Sequence, residues 1–334
     1  MSSNTVAVIT TIQSPTPSVR SLCQHLAQEA VPLIVIGDRK GPSAYETDGA
    51  ELFTLAAQQA LPLTLARGLP EGSYSRKNLG YLLAMRRGAS CIYETDDDNA
   101  PNKQWVLRAE TVRAARVEAS GWLNVYAHFT PENVWPRGLP LDAIRRPIPS
   151  PGPVRDILAP IQQGLADGSP DVDAVWRLAM DRDIRFEQAR SICLPPGTWS
   201  PFNSQSTWWW PSAYPLMYLP SHCSFRMTDI WRSFIAQRCL WEFAEGLVFH
   251  PAEVDQERNA HDLMRDFADE VPGYLQNARI ADILESLPLQ SGPEHVGDNL
   301  LACYEALVSQ GILPEKELEL VRAWLADIES VTRP

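Results

Sequence analysis

The sequence predicts an α/β protein with a Rossmann-like, doubly wound sheet, and three observations predict it. Residues 5–11 (TVAVITT) and 32–36 (PLIVI) are short apolar runs without alternation, the pattern of parallel strands buried on both faces. Residues 18–30 and 79–87 carry apolar side chains at helical spacing, and Gly88 closes the second run as a C-cap. Strand follows helix follows strand, and the strands run into polar clusters: Thr10-Thr11, Gly37-Asp38 and, after residues 89–93, Asp96-Asp97-Asp98. Ligands of doubly wound sheets bind beyond the carboxyl ends of the strands, so these clusters mark one expected site.

The remaining elements follow in order. Residues 50–60 are predicted to be a helix and 61–65 a strand. The proline- and arginine-rich stretch 131–153 reads as an irregular loop, 156–164 as a short helix, and 167–173 as a turn holding Asp171 and Asp173. Residues 174–180 continue as helix, 198–210 form an aromatic loop, and 229–242 an amphipathic helix headed by Asp229. From about residue 255 the chain is expected to be helical, over 259–271, 278–287, 297–310 and 315–330. The expected domains are residues 1–255, with a nucleotide-binding half (1–130) and an acceptor half (131–255), and a helical C-terminal region (256–334).

Composition narrows the function. With 334 residues the chain can bury a sizeable core, and 45% hydrophobic with 21% charged residues is the make-up of a soluble globular protein. A formal charge of −12 argues against a nucleic-acid or anionic-membrane binder. No apolar run approaches the ~20 residues that span a bilayer, and no basic segment precedes an apolar core at the N-terminus. The six cysteines are scattered without a Cys-x-x-Cys pair, as in a reduced compartment, and a cytoplasmic location is expected. Neither Gly-x-Gly-x-x-Gly nor a P-loop signature occurs, so phosphates would be held by a metal, by cations and by a helix start.

The acidic triplet carries the chemistry. Three adjacent carboxylates repel one another and need either full solvation or a cation. Asp96 and Asp98 are two apart, so in an extended segment they point the same way. They are assigned to Mn²⁺ or Mg²⁺, which take one or two carboxylates and fill the rest of their shell from water and substrate phosphates. Asp97 is placed beside them on the substrate. Arg76, Lys77 and Asn78 head a helix, where cations oppose the helix dipole unless an anion is near, and are assigned to phosphate or ribose. Asp171 and Asp173 suit sugar hydroxyls, although either would equally cap the next helix. Trp231 and the Trp208-Trp209-Trp210 run suit stacking on a sugar face, or a core, or the interface of a homo-oligomer.

Several stretches together resemble one family: VITTI (8–12), VIGDRKGP (35–42), RKNLGYLLA (76–84), DDDN (96–99), PDVDAVWRL (170–178), PFNSQ (201–205) and DIWRS (229–233). They are similar to the STELLO glycosyltransferases and, more distantly, to the reversibly glycosylated polypeptides that interconvert forms of UDP-arabinose. The resemblance implies a GT-A-like fold and a nucleoside diphosphate sugar, a UDP-sugar, as donor. It places Asp38, with Lys40 close by, and Thr10 and Thr11 at the base or ribose. It offers Asp229 as general base with Asp173 as second catalytic carboxylate, and His261, ahead of His250, as third metal ligand. The implied reaction is transfer to a glycan or small-molecule acceptor. A nucleotide-sugar mutase and a non-catalytic nucleotide-sugar-binding scaffold are the alternatives.

Overall fold

The structure, a computed structural model, describes residues 4–257 and 262–333. It has the α/β architecture, built on one large mixed sheet with a helical C-terminal region. The strands are β1 (Thr5–Thr10), β2 (Leu33–Ile36), β3 (Ala50–Phe53), β4 (Cys91–Thr95), β5 (Asn99–Pro101), β6 (Thr111–Val117), β7 (Gly121–Trp122), β8 (Pro151–Leu158), β9 (Ile161–Gly168), β10 (Ile192–Leu194), β11 (Thr198–Trp199), β12 (Ser206–Trp209) and β13 (Leu247–Gln256). Among the described residues the main sheet runs β3-β2-β1-β4-β12-β9-β13-β10-β6-β8, with β5 added on β13, while β7 and β11 pair separately. The helices are α1 (Pro17–Gln28), α2 (Leu55–Gln59), α3 (Thr64–Gly68), α4 (Lys77–Arg86), α5 (Ala174–Ala179), α6 (Thr228–Leu240), α7 (Leu263–Glu285), α8 (Val296–Ser309) and α9 (Lys316–Thr332).

Strand direction sets the position of the site. β1 lies parallel to β2 and β4, and β9 parallel to β13, while β12 runs antiparallel between β4 and β9. Two reversals restore the direction, so β1, β2, β4, β9 and β13 all deliver their carboxyl ends to one edge of the sheet. Helix α4 covers β1 and β2 closely: a Cβ on Gly80 would come within 2.5 Å of Val8 Cγ1.

Several local expectations are corrected. Residues 50–60 divide into β3 and α2, and 61–65 lead into α3 rather than a strand. Helix α1 starts one residue earlier than expected, with Thr16 as N-cap and Pro17 at its first position. Residues 156–164 are not a helix but the end of β8 and the first half of β9. β9 is buried along nearly its whole length, and its glutamines are satisfied internally: Gln162 donates to the carbonyls of Ala109, Glu110 and Ala159, and Gln163 pairs with Asn203. The aromatic stretch 198–210 contains β11 and β12. The break expected between 271 and 278 is absent, because α7 runs through Pro272 and Gly273 without ending.

The C-terminal helices are not a detached tail. Asp327 of α9 accepts hydrogen bonds from the Thr64 and Leu65 amides and so caps α3. Trp324 donates to the Pro215 carbonyl and sits edge-on to Tyr81 of α4, 6.5 Å between ring centres. Among the described residues no helix is long and apolar enough to cross a membrane.

Candidate active site

A cavity of about 490 Å³ opens at the shared carboxyl edge of the sheet, within the roughly 300–1,000 Å³ of small-molecule sites. The segments after β1, β2, β4 and β9 line it, together with Gln256 at the end of β13 and Gln205 at the start of β12. It has two walls of opposite character.

The strand wall carries Asp96, Asp97 and Asp98, all partly exposed to the cavity. Asp96 Oδ1 accepts from the Tyr74 hydroxyl at 2.6 Å and from Lys77 Nζ at 2.8 Å, and no described residue engages its Oδ2. Asp97 Oδ2 takes the Thr11 hydroxyl at 2.5 Å, and Asp98 takes Asn99 Nδ2 and Gln256 Nε2 at 3.1 and 3.0 Å. Burial raises all three carboxyl pKa values, against the opposing pull of Lys77 on Asp96 and of Thr11 on Asp97. Asp98 goes furthest, pushed up to about 7 by burial and then by the charge of Asp96. This wall holds more negative charge than its surroundings compensate.

The loop wall consists of Asp171, Arg137 and Asp229. The Arg137 guanidinium makes a two-pronged pair with Asp171, Nε to Oδ1 at 2.7 Å and Nη2 to Oδ2 at 2.8 Å. It also reaches both oxygens of Asp229 at 3.0 Å. Burial alone would raise the Asp229 pKa, but the Arg137 charge outweighs it and holds the carboxyl below its usual range. These acids are closed pairs.

A buried chain of alternating charge joins the walls. Behind Asp96, Lys77 lies 3.8 Å from the fully buried Glu94. Glu94 takes both oxygens' worth of Arg232 Nη1 at 2.8 Å, with the Tyr81 hydroxyl and the Trp209 indole completing its shell. Arg232 continues to the Asn203 carbonyl, and Asn203 Nδ2 donates to Asp171 at 2.9 Å. Burial would raise the Glu94 pKa, and Arg232 and Lys77 bring it below the ordinary value instead.

The residues expected from the sequence fall into two groups. Thr10, Thr11, Asp38, Lys40, Asp96, Asp97, Asp98, Asp171 and Asp229 line the cavity. Within this group Asp38 turns inward on the protein: its carboxylate accepts the amides of Arg39, Gly72 and Ser73, fixing the loop that forms the cavity rim. Thr10 likewise gives its hydroxyl to the Ile36 carbonyl. Lys40 is exposed, with no ion pair among the described residues.

The second group lies off the cavity, each for an identifiable reason. Arg76 is buried against Gln58 Oε1 and the Leu69 carbonyl. Lys77 is fully buried behind Asp96, so the anion that offsets its place at a helix start is the protein's own. Asn78 latches both its amide groups onto the Leu219 backbone. Asp173 is the N-cap of α5, accepting the Trp176 amide while its other oxygen takes the Trp135 indole. Trp231 is core and donates to Asn277, and Trp208 and Trp209 are core and donate to Glu253 and Glu94. Asp229 is not the cap of α6, whose N-cap is Met227; it sits inside the first turn. His250 is buried between Ser191 and Gln162. His261 lies outside the described residues. Among those described, no three His, Cys, Asp or Glu side chains form a metal-holding group by themselves.

Sequence reading missed Arg137, Glu94, Arg232, Tyr74 and the arginine at 226. Glu94 carried a signal, being the one charged residue inside the strand CIYET; Arg137 sits in a loop with no periodicity and carried none.

Comparison with known proteins adds a likeness. Residues 226–333 match the model of the STELLO glycosyltransferases. Over 97% of its length the chain is 28% identical to an Arabidopsis thaliana protein described as "Probable glycosyltransferase STELLO1", and over 96% it is 28% identical to "Probable glycosyltransferase STELLO2" of the same plant. These matches make the chain similar to the STELLO glycosyltransferases. It spans 44% of the length of each of these relatives, so less than half of either has a counterpart here. The family-model match covers Arg226, Asp229 and helices α6 to α9, and the likeness to the plant proteins extends over the acidic triplet as well.

Proposed function

We propose that the chain is a metal-dependent glycosyltransferase that takes a sugar from a nucleoside diphosphate sugar, a UDP-sugar, and gives it to a glycan or small-molecule acceptor. The observation that carries this reading is the strand wall: an acidic triplet at the carboxyl end of a parallel strand, inside a cavity, with more negative charge than the protein neutralises. The names of the plant relatives support the reaction class.

The donor set fits a divalent cation. Asp96 keeps an oxygen that no described residue engages, and the raised Asp98 carboxyl is the mark of a site that a positive charge would relieve. Two carboxylates suffice for Mg²⁺ or Mn²⁺ when phosphates and water complete the shell. When bound, the metal would supply charge neutralisation of the diphosphate and of the departing nucleotide. The chain's own residues do the rest. Lys77 and Tyr74 fix Asp96 from behind, and Asp38 holds the rim formed by Gly72 and Ser73. Exposed Lys40 offers a cation to phosphate. Asp171 and Asp229, both paired with Arg137, accept hydrogen bonds from sugar hydroxyls. The low basicity of Asp229 suits that task better than proton abstraction, so the general-base role expected of it is not carried forward.

The test is release of nucleoside diphosphate from a panel of nucleotide sugars, with Mn²⁺ or with EDTA. Metal-dependent release from at least one sugar is expected; no release and no protection by any nucleotide sugar against thermal unfolding would overturn the reading.

A further inference from the structure

Helix α7 contains Glu-Val-Pro-Gly-Tyr (270–274), a sequence that ordinarily ends a helix. The helix continues, and the face bearing Glu270, Gly273 and Asn277 is buried. These positions are i, i+3 and i+7, one stripe. The stripe meets the back of the loop wall at every segment that forms it.

Glu270 is fully buried and divides its oxygens between two segments. Oε1 takes Arg226 Nε at 2.9 Å and Nη2 at 2.8 Å. Oε2 takes the Ala174 amide at 2.7 Å, three residues after Asp171, and the Tyr274 hydroxyl at 2.6 Å. Asn277 does the same two turns along. Its Nδ2 donates to the carbonyl of Gly138, next to Arg137, at 2.8 Å, and its Oδ1 accepts the indole of Trp231, two residues beyond Asp229, at 2.9 Å. Between them, Gly273 lets Met227 approach: a Cβ there would meet Met227 Sδ at 2.2 Å. One turn before Gly273, the Ser224 hydroxyl donates to the Asp269 carbonyl. A purely apolar stripe would pack as well without specifying register, whereas these four groups each fix one segment to one atom.

We propose that Glu270, Gly273 and Asn277 are positioning residues that set the spacing of Arg137, Asp171, Arg226 and Asp229 across the cavity from the acidic triplet. Helix α7 thereby decides acceptor-side geometry without touching the donor side. This rests on the glycosyltransferase reading for its kinetic consequence only.

The experiment uses the full chain with Glu270→Gln, Gly273→Ala, and Gly273→Ala combined with Met227→Ala. Amide hydrogen exchange is read first. In Glu270→Gln, exchange rises about tenfold in residues 170–177 and 224–231 and stays unchanged in residues 5–36. Gly273→Ala raises exchange in residues 224–231, and Met227→Ala, which removes the clashing sulfur, reverses this. Calorimetry with UDP and Mn²⁺ and turnover of a UDP-sugar are read second: affinity for UDP holds within about twofold while kcat falls about tenfold. Uniform exchange over the whole chain, no change in either segment, or a parallel loss of UDP affinity and turnover would each overturn the proposal. Failure of the wild type to bind UDP would sink the glycosyltransferase reading and leave the exchange result to judge α7 alone.

Discussion

The two walls of the cavity use the same residue type to opposite ends. On the strand wall, carboxylates stand at the end of β4 with Lys77 behind one of them, and burial pushes their pKa values up. On the loop wall, Asp171 and Asp229 share the Arg137 guanidinium, and Asp229 is held below its usual range. The difference is where the compensating charge resides. The loop wall brings its own cation, and so is complete and rigid. The strand wall has one cation, Lys77, behind three carboxylates, and under the proposed function an ion from outside would complete it.

The largest way to break this comparison is to remove the internal cation. Arg137→Met leaves two buried carboxylates unpaired, and the expected loss is about 3–5 kcal/mol of unfolding free energy, read by denaturant titration. A loss under about 1 kcal/mol would mean that Asp171 and Asp229 are solvated well enough to need no partner.

The next sharpens it by sign. At pH 8 without divalent metal, Asp98→Asn should stabilise the protein, since it removes a charge held above its ordinary pKa, while Asp229→Asn should destabilise it. Thermal melts of the two variants decide this, and shifts of the same sign would erase the distinction between the walls.

A smaller effect follows the same carboxyl through pH. The Asp98 pKa is raised from 3.8 to about 7 on folding, so its contribution to stability is greatest when it is protonated. That contribution declines as pH rises from about 4 through 7 and is level above. Asp173 and others titrate in the same interval, so the quantity to measure is the stability of wild type minus that of Asp98→Asn. This difference should fall across that window in metal-free buffer and flatten with excess Mn²⁺. The smallest effect concerns the rim: Phe225, exposed at the cavity mouth and edge-on to Tyr74, should cost under about 1 kcal/mol of stability as Phe225→Ala and act on ligand affinity instead.

Legibility in the sequence divides along the same line as the walls. β1 and β2 are plain apolar runs, β4 is interrupted by Glu94, and all three end in polar clusters, so the strand wall is legible from residues alone. β9 is not: Gln162 and Gln163 break its apolar pattern, and only the partners at Ala109, Glu110 and Asn203 make them tolerable inside a sheet. With residues 156–164 expected as helix, the strand that carries Asp171 to the cavity edge and its parallel pairing with β13 are not legible. Two cations at a helix start point to an outside anion for Arg76 and Lys77, but the anions for Lys77 come from Glu94 of the next strand and from Asp96 just after it. The Pro272-Gly273 pair was read as a helix break for the usual local reason, and tertiary packing against Met227 overrides it.

The most direct test of the central claim is calorimetric titration of UDP into wild type, Asp96→Asn and Asp98→Asn, each with Mn²⁺ and with EDTA. Wild type should bind at least about tenfold more tightly with Mn²⁺, and neither variant should show that gain. Equal binding by wild type in EDTA, or an undiminished metal effect in both variants, would contradict a strand wall built to hold a cation.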